Sequence, residues 1–166
     1  MKKYFFGALM AFIAFSLVGY SGSGSGKKFN VMDNTGEYVD LGLPSGTLWG
    51  ANNANEAFYS FDQAVEWFGD CLPTADQIDE LRSYCTWTWT GDGYKVVGLS
   101  GRSIFLPATG ISEEDGRVYN IGQVGAYWSR SACEAPDAVD LSIDPERAKI
   151  DCDDRYYRMS IRLVKK

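Results

Sequence analysis

The side chains best suited by type to do chemistry are acidic, and they bunch toward the carboxyl end. Asp140, Asp144, Glu146, Asp151, Asp153 and Asp154 crowd into residues 140–154. Oxygen-rich sets of this kind suit calcium. No EF-hand spacing accompanies them, however, and solvated acidic loops are the plainer reading. Two adjacent pairs, Glu113 with Glu114 and Asp153 with Asp154, have the residue type used in glycoside hydrolysis. That reaction needs two carboxyls facing one bond across a gap, whereas sequence neighbours ordinarily solvate a loop. The chain has no histidine, which removes His-type zinc sites and every scheme relying on imidazole near neutral pH. Its net charge of -6 argues against a nucleic-acid partner, which calls for a basic face to displace counterions. No catalytic residue, metal or cofactor is expected.

Export is written into the first residues. Lys2 and Lys3 precede an uncharged apolar run over 4–19, too short for a comfortable membrane span, so residues 1–20 read as a signal peptide. The triplet Leu17, Val18, Gly19 is of the kind that precedes a lipid-bearing cysteine, but Tyr20 follows it and cannot be lipidated there. Residues 21–28 are a Ser/Gly-rich linker able to space or tether a domain. The membrane therefore enters only through export or tethering, and the expected location is the cell surface, the periplasm or the extracellular space.

In an oxidising compartment four cysteines suggest disulfides, with three possible pairings. Cys133 and Cys152 both fall in the C-terminal part and would close a loop of roughly 20 residues, stabilising by about 3 kcal/mol. Cys71 and Cys85 flank a predicted helix that would hold them apart, which leaves either thiol able to stay free.

With 166 residues, and a single folded domain over 29–166, the elements read in order as follows. Two short β-runs over 38–41 and 47–51 surround a Leu-Pro-Ser-Gly turn. Ser60 with Gln63, and Thr74 with Gln77, form two capping boxes. The first opens a helix with Phe61, Ala64, Val65 and Phe68 on its apolar face. The second opens one bearing Ile78, Leu81 and Cys85. After Cys85 the period becomes two, with Thr86, Thr88 and Thr90 alternating with Trp87 and Trp89. Short strands follow over 94–97, 103–106 and 126–129. A last strand over 159–164 places Met159, Ile161 and Leu163 on one face, with Ser160 and Arg162 on the other. The order of a hairpin, two helices and then strands is an α+β plan. Trp49, Trp67, Trp87, Trp89 and Trp128 lie on these elements and are assigned to core packing rather than sugar stacking.

Several stretches resemble one family: YVDLGLPSGTLW (38–49), LPT (72–74), CTWTWT (85–90), GYKVVG (93–98), SIFLPATG (103–110), YWS (127–129) and SIRLV (160–164). They are similar, in the same order, to exported gut-bacterial proteins grouped as the Fibrobacter succinogenes major paralogous domain. The resemblance implies a C-type-lectin-like fold, with two short helices packed on a mixed, mostly antiparallel sheet and long C-terminal loops. Some members are variable proteins of diversity-generating retroelements. Three positions depart from the family pattern. Asn52 stands where a cysteine is frequent, which takes away the usual partner of Cys85 and makes Cys71 a substitute. Arg158 stands where glycine is usual, which puts that turn in question. Tyr20 stands at the lipidated position. Relatives that generate formylglycine use a reactive cysteine pair near the C-terminus, and Cys133 and Cys152 do not sit in that motif. The signatures of calcium-dependent sugar-binding lectins are missing as well.

The segment 130–157, between YWS and SIRLV, is the expected ligand face. Its candidate contact residues are Arg130, Ala132, Glu134, Asp137, Asp140, Asp151, Asp153, Asp154, Tyr156 and Tyr157. Tyrosine offers large contact area at low entropy cost, and Asp and Arg add directional polar contacts, the mix found in paratopes. Adenine-directed diversification would supply many of these residue types, and asparagine is absent from the segment. Glu134, Glu146 and Lys149, however, are not reachable from asparagine codons by adenine changes. The expected function is recognition of a protein or glycan at the cell surface. The alternative is a structural or adhesive surface protein without one discrete site.

Overall fold

The computed structural model describes residues 37–113 and 115–166; the expected signal peptide, the linker, the start of the domain at Phe29 and the acid Glu114 lie outside these residues. Both capping boxes form. The Gln63 N–H donates to Ser60 Oγ at 3.4 Å while the Ser60 N–H donates to Gln63 Oε1 at 3.1 Å, opening α1 (Phe61–Phe68). The same reciprocal pair at Thr74 and Gln77, at 3.1 and 2.9 Å, opens α2 (Ala75–Tyr84). Each box satisfies two N–H groups that the first turn leaves without helical partners. Phe61, Ala64 and Phe68 are buried as the spacing predicts, but Val65 is exposed.

The strands are short and belong to separate small antiparallel sheets rather than to one mixed sheet. β1 (Tyr38–Asp40) and β2 (Leu48–Gly50) flank the expected turn, where the Gly46 N–H donates to the Leu43 carbonyl at 2.9 Å. β3 (Thr86–Trp89), β4 (Gly93–Val97) and β5 (Ser103–Pro107) make a meander, and β6 (Ile111–Ser112) pairs with β7 (Val118–Tyr119). β8 (Gly125–Ala132), β9 (Asp137–Ile143) and β10 (Ala148–Asp154) form a third sheet in the order β10-β9-β8. β11 (Val164–Lys165) returns to β2, so the two ends of the described chain share a sheet. The architecture is α+β, with two short helices against several small antiparallel sheets.

Two expectations are corrected here. Residues 130–157 are not a run of long loops: most of them lie in β8, β9 and β10, joined by tight turns. Residues 159–164 are not one amphipathic strand, for only Val164 enters a ladder. Met159 bridges Tyr59, and Ser160 bridges Tyr127 in parallel. The side chains of Met159, Ser160, Ile161, Arg162, Leu163 and Val164 are all buried, so no polar face is turned to water. Arg158, at the expected glycine position, exchanges two backbone hydrogen bonds with Ser112 at 2.8 and 3.0 Å and needs no left-handed backbone.

The core has two parts, divided by the β8–β9–β10 sheet. One face of that sheet gives Tyr127, Leu141 and Ile143 to a cluster with Trp49, Ile78, Leu81 and Leu106. The other gives Ala126, Trp128 and Ala138 to a cluster with Phe61, Phe68, Met159 and Ile161. The register explains the division, since Tyr127 stands opposite Leu141 while Trp128 stands opposite Asp140. Trp49 and Trp128 are fully buried, and the Trp128 indole donates to the Tyr59 carbonyl at 2.8 Å. Trp87 and Trp89 are half-buried, each edge-on to Tyr94 at 5.4 and 5.1 Å. Trp67 departs from the core assignment: it is exposed and meets Tyr59 edge-on at 5.4 Å.

Cys133 and Cys152 form a disulfide with Cα atoms 6.2 Å apart, tying the β8–β9 turn to β10. Cys71 and Cys85 are free thiols, so the substitute pairing does not occur. The disulfide closes a loop with a separation of 19 residues. Replacing both cysteines of the pair, Cys133→Ser with Cys152→Ser, is expected to lower unfolding free energy by about 3 kcal/mol in urea titrations, through the entropy released to the unfolded chain. An unchanged midpoint would show that the crosslink constrains nothing.

Candidate functional site

The ten residues expected on the ligand face do not come together as one set; the sheet sends them to five places. The irregular register between Trp128 and Ala132 turns Arg130 toward the helices. There the Arg130 N–H donates to the Pro73 carbonyl at 2.8 Å, and its guanidinium pairs with Asp70. Ala132 and Glu134 are exposed at the β8–β9 turn beside the disulfide. Asp137 begins β9, half-buried, opposite Asp154.

Asp140, Asp151 and Asp153 gather on one face of β9 and β10. Asp151 stands opposite Asp140, and Asp153 lies two positions along the same strand. Asp140 is fully buried, which removes it from any contact surface. Ser142 Oγ donates to its Oδ2 at 2.9 Å, while Oδ1 has no partner. Burial, reinforced by Asp153 and Asp151, pushes the Asp140 carboxyl up to about 7. Asp153 is also raised, by burial and then by Asp151. Asp151 moves the other way, because the Lys149 ammonium pairs with it and favours its charged form. Asp153 and Asp154 are successive residues of a strand and point to opposite faces, so they are not paired carboxylates. Among the described residues no group of three or more His, Cys, Asp or Glu side chains is placed to hold a metal ion.

Asp154, Tyr156 and Tyr157 do converge. After β10 the chain makes a tight turn in which the Tyr156 N–H donates to Asp154 Oδ1 and the Tyr157 N–H donates to the Asp154 carbonyl, both at 3.0 Å. Between them Arg155 lies over the Phe61 ring at 4.7 Å, with Asp62 at 3.8 Å, and fastens the turn to the start of α1. Tyr156 is 67% exposed and Tyr157 37%. With Asp154 and Glu113 they line an open cleft of about 400 Å³. Glu113 reaches it because Ser112 bridges Arg158 across the fold. In sequence Glu113 is one acid of a loop pair, and no local signal connects it to residue 156.

No family model, curated protein or solved structure matches the chain. The cleft offers two outward phenols and two carboxylates on a hydrogen-bonded turn.

A carboxyl whose pKa is higher in the folded chain than in the unfolded one holds its proton more tightly when folded. Asp140 therefore makes stability fall as pH rises from about 4 to about 7. Between pH 5.5 and 8 the fall is expected to be about 2 kcal/mol, and Asp140→Asn is expected to remove most of it. Urea midpoints at the two pH values check this, and parallel pH dependences for the two proteins would sink it.

Proposed function

We propose that this chain is an exported recognition module with a C-type-lectin-like fold, which offers the 154–157 turn and Glu113 to a protein or glycan at the cell surface. The observation that carries the reading is an exposed side chain on a hydrogen-bonded turn at Tyr156. A large phenol faces solvent on a backbone held at Asp154 and, through Arg155, on α1. A tyrosine has only two side-chain torsions, so on a held backbone it loses little conformational freedom on binding and adds substantial contact area. Asp154 and Glu113 add acceptors on either side of it, so the favoured partner surface has donors around an apolar or sugar face.

Export is supported by the charged and apolar first residues together with the Cys133–Cys152 disulfide, a crosslink that persists in oxidising compartments. Among the described residues no helix is long and apolar enough to cross a membrane. The lectin-like assignment is supported by the order of a hairpin, two helices and then strands. Retroelement diversification belongs to the same reading. It predicts a near-copy template repeat beside the gene, with adenine differences falling on codons such as those of Ala132, Tyr156 and Tyr157 and sparing buried Leu141 and Ile143. Neighbouring DNA with neither a template repeat nor a reverse transcriptase removes that part.

The double variant Tyr156→Ala with Tyr157→Ala is expected to keep its thermal midpoint, since both side chains are outside the core. On arrays of glycans and cell-surface proteins it is expected to lose one specific interaction by about tenfold or more, as loss of a central aromatic anchor does. Broad adhesion that persists unchanged in the variant would favour the structural or adhesive alternative and end this reading.

A further inference from the structure

A second cleft opens where α2, β3, β4 and the β9–β10 turn meet, and it gathers two guanidinium groups in a chain of net charge -6. It encloses about 260 Å³ and is lined by Arg82, Trp87, Tyr94, Arg147 and Ala148. The Arg82 guanidinium is held in place. Its Nε donates to the Ala148 carbonyl at 3.1 Å and its Nη1 to Asp79 Oδ1 at 3.3 Å, which leaves Nη2 over. Arg147 comes from the turn with its side chain 64% exposed, and among the described residues its guanidinium makes no hydrogen bond. Tyr94 reaches the cleft from β4. Its hydroxyl has no hydrogen-bond partner among the described residues, yet it is not one of the polar atoms sealed from solvent.

The neighbouring acids are engaged elsewhere. Asp144 Oδ1 accepts the N–H groups of Glu146 and Arg147 at 2.8 and 2.9 Å, so that carboxylate closes the turn. Its Oδ2 stays 4.0 Å from Arg147 Nε, beyond hydrogen-bond range. Asp151 pairs with Lys149, and Asp79 meets Arg82 from an exposed position where water screens the pair. The donors that remain free therefore come from three directions: Arg82 on α2, Arg147 on the turn and the Tyr94 hydroxyl on β4. A carboxylate presents two oxygens in one plane, whereas a phosphate or sulfate ester presents three around a tetrahedral centre. The Trp87 indole N–H is already given to the Leu81 carbonyl at 3.3 Å, so this wall of the cleft offers ring surface rather than a donor.

We infer that this cleft binds a tetrahedral oxyanion monoester, a phosphate or sulfate group on a small ring, with its three free oxygens on Arg82, Arg147 and the Tyr94 hydroxyl and its ring against Trp87. Guanidinium groups suit such an anion because their forked donors match its oxygens. The site is independent of the tyrosine turn and stands whether or not that turn recognises a partner. A carboxylate on the same ring leaves one of the three donors unfilled. A neutral ring fills none of them.

The test is a backbone-amide NMR titration of the full chain with phenyl phosphate, phenyl sulfate, benzoate and benzyl alcohol, all on one ring. Saturable shifts around residues 82, 94 and 147–148 are expected with phenyl phosphate or phenyl sulfate, and the tighter of the two names the ester. Benzoate is expected to be weaker by about fivefold or more, and benzyl alcohol by more still. Arg147→Gln is expected to weaken the preferred ester by about tenfold, and Tyr94→Phe, which keeps the ring, by roughly fivefold. Arg117→Gln removes an exposed arginine elsewhere and is expected to change nothing, as is Tyr156→Ala with Tyr157→Ala, so failure here is distinguishable from failure at the tyrosine turn. Absence of saturable shifts, benzoate binding as tightly as either ester, shifts that survive both cleft variants, or equal weakening by Arg117→Gln would overturn the assignment.

Discussion

Residues 159–164 run through the middle of the molecule and hold its pieces together. Their backbone bonds go to Tyr59, Ala126, Trp128, Ala54 and Gly50, at 2.8–3.3 Å, rather than to one neighbouring strand. Every side chain in the segment is buried. Buried N–H and C=O groups must find partners, and here the partners come from two distant stretches, residues 50–59 and 126–128. The small sheets are thereby fixed relative to one another although none of them is extensive. The segment also explains why a regular ladder is missing: its bonds alternate between the 50–59 stretch and β8.

Arg162 shows the same constraint at side-chain level. Its forked donors reach the carbonyls of Gly50 and Phe105, which belong to different sheets. A guanidinium suits this role because its donors are planar, fixed in direction and weakly hydrated compared with an ammonium. The charge is carried into the interior as a by-product of that bracing.

The β8–β9–β10 sheet plays a different part. Covered on both faces near β8 and β9, it is a rigid partition between the two core clusters. Toward β10 it becomes half-exposed, and the chain leaves it in the turn that carries Tyr156 and Tyr157. Rigid partition and displayed turn are thus neighbours in one short length of chain. Asp140 lies between these regimes: the sheet buries it, while the acids of β10 crowd it and hold its proton near neutral pH.

Local patterns in the sequence were enough for the helices, whose capping boxes act over three residues, and for the Leu-Pro-Ser-Gly turn and the Thr/Trp strand, whose periods are short. The Cys133–Cys152 pairing was open to argument from cysteine position and loop length. β9 carried a legible alternation of Val139, Leu141 and Ile143, but the aspartates among them suggested loop, because an acid is rarely placed on a strand face buried on both sides. Residues 159–164 looked amphipathic, and only packing shows that Ser160 and Arg162 face protein instead of water. The approach of Glu113 to Tyr156, and of Arg82 to Arg147, depends on contacts between segments far apart in the chain. Sequence spacing governs interactions within a turn of helix or a pair of strand positions, whereas the company a side chain keeps across the fold is settled by how the sheets pack.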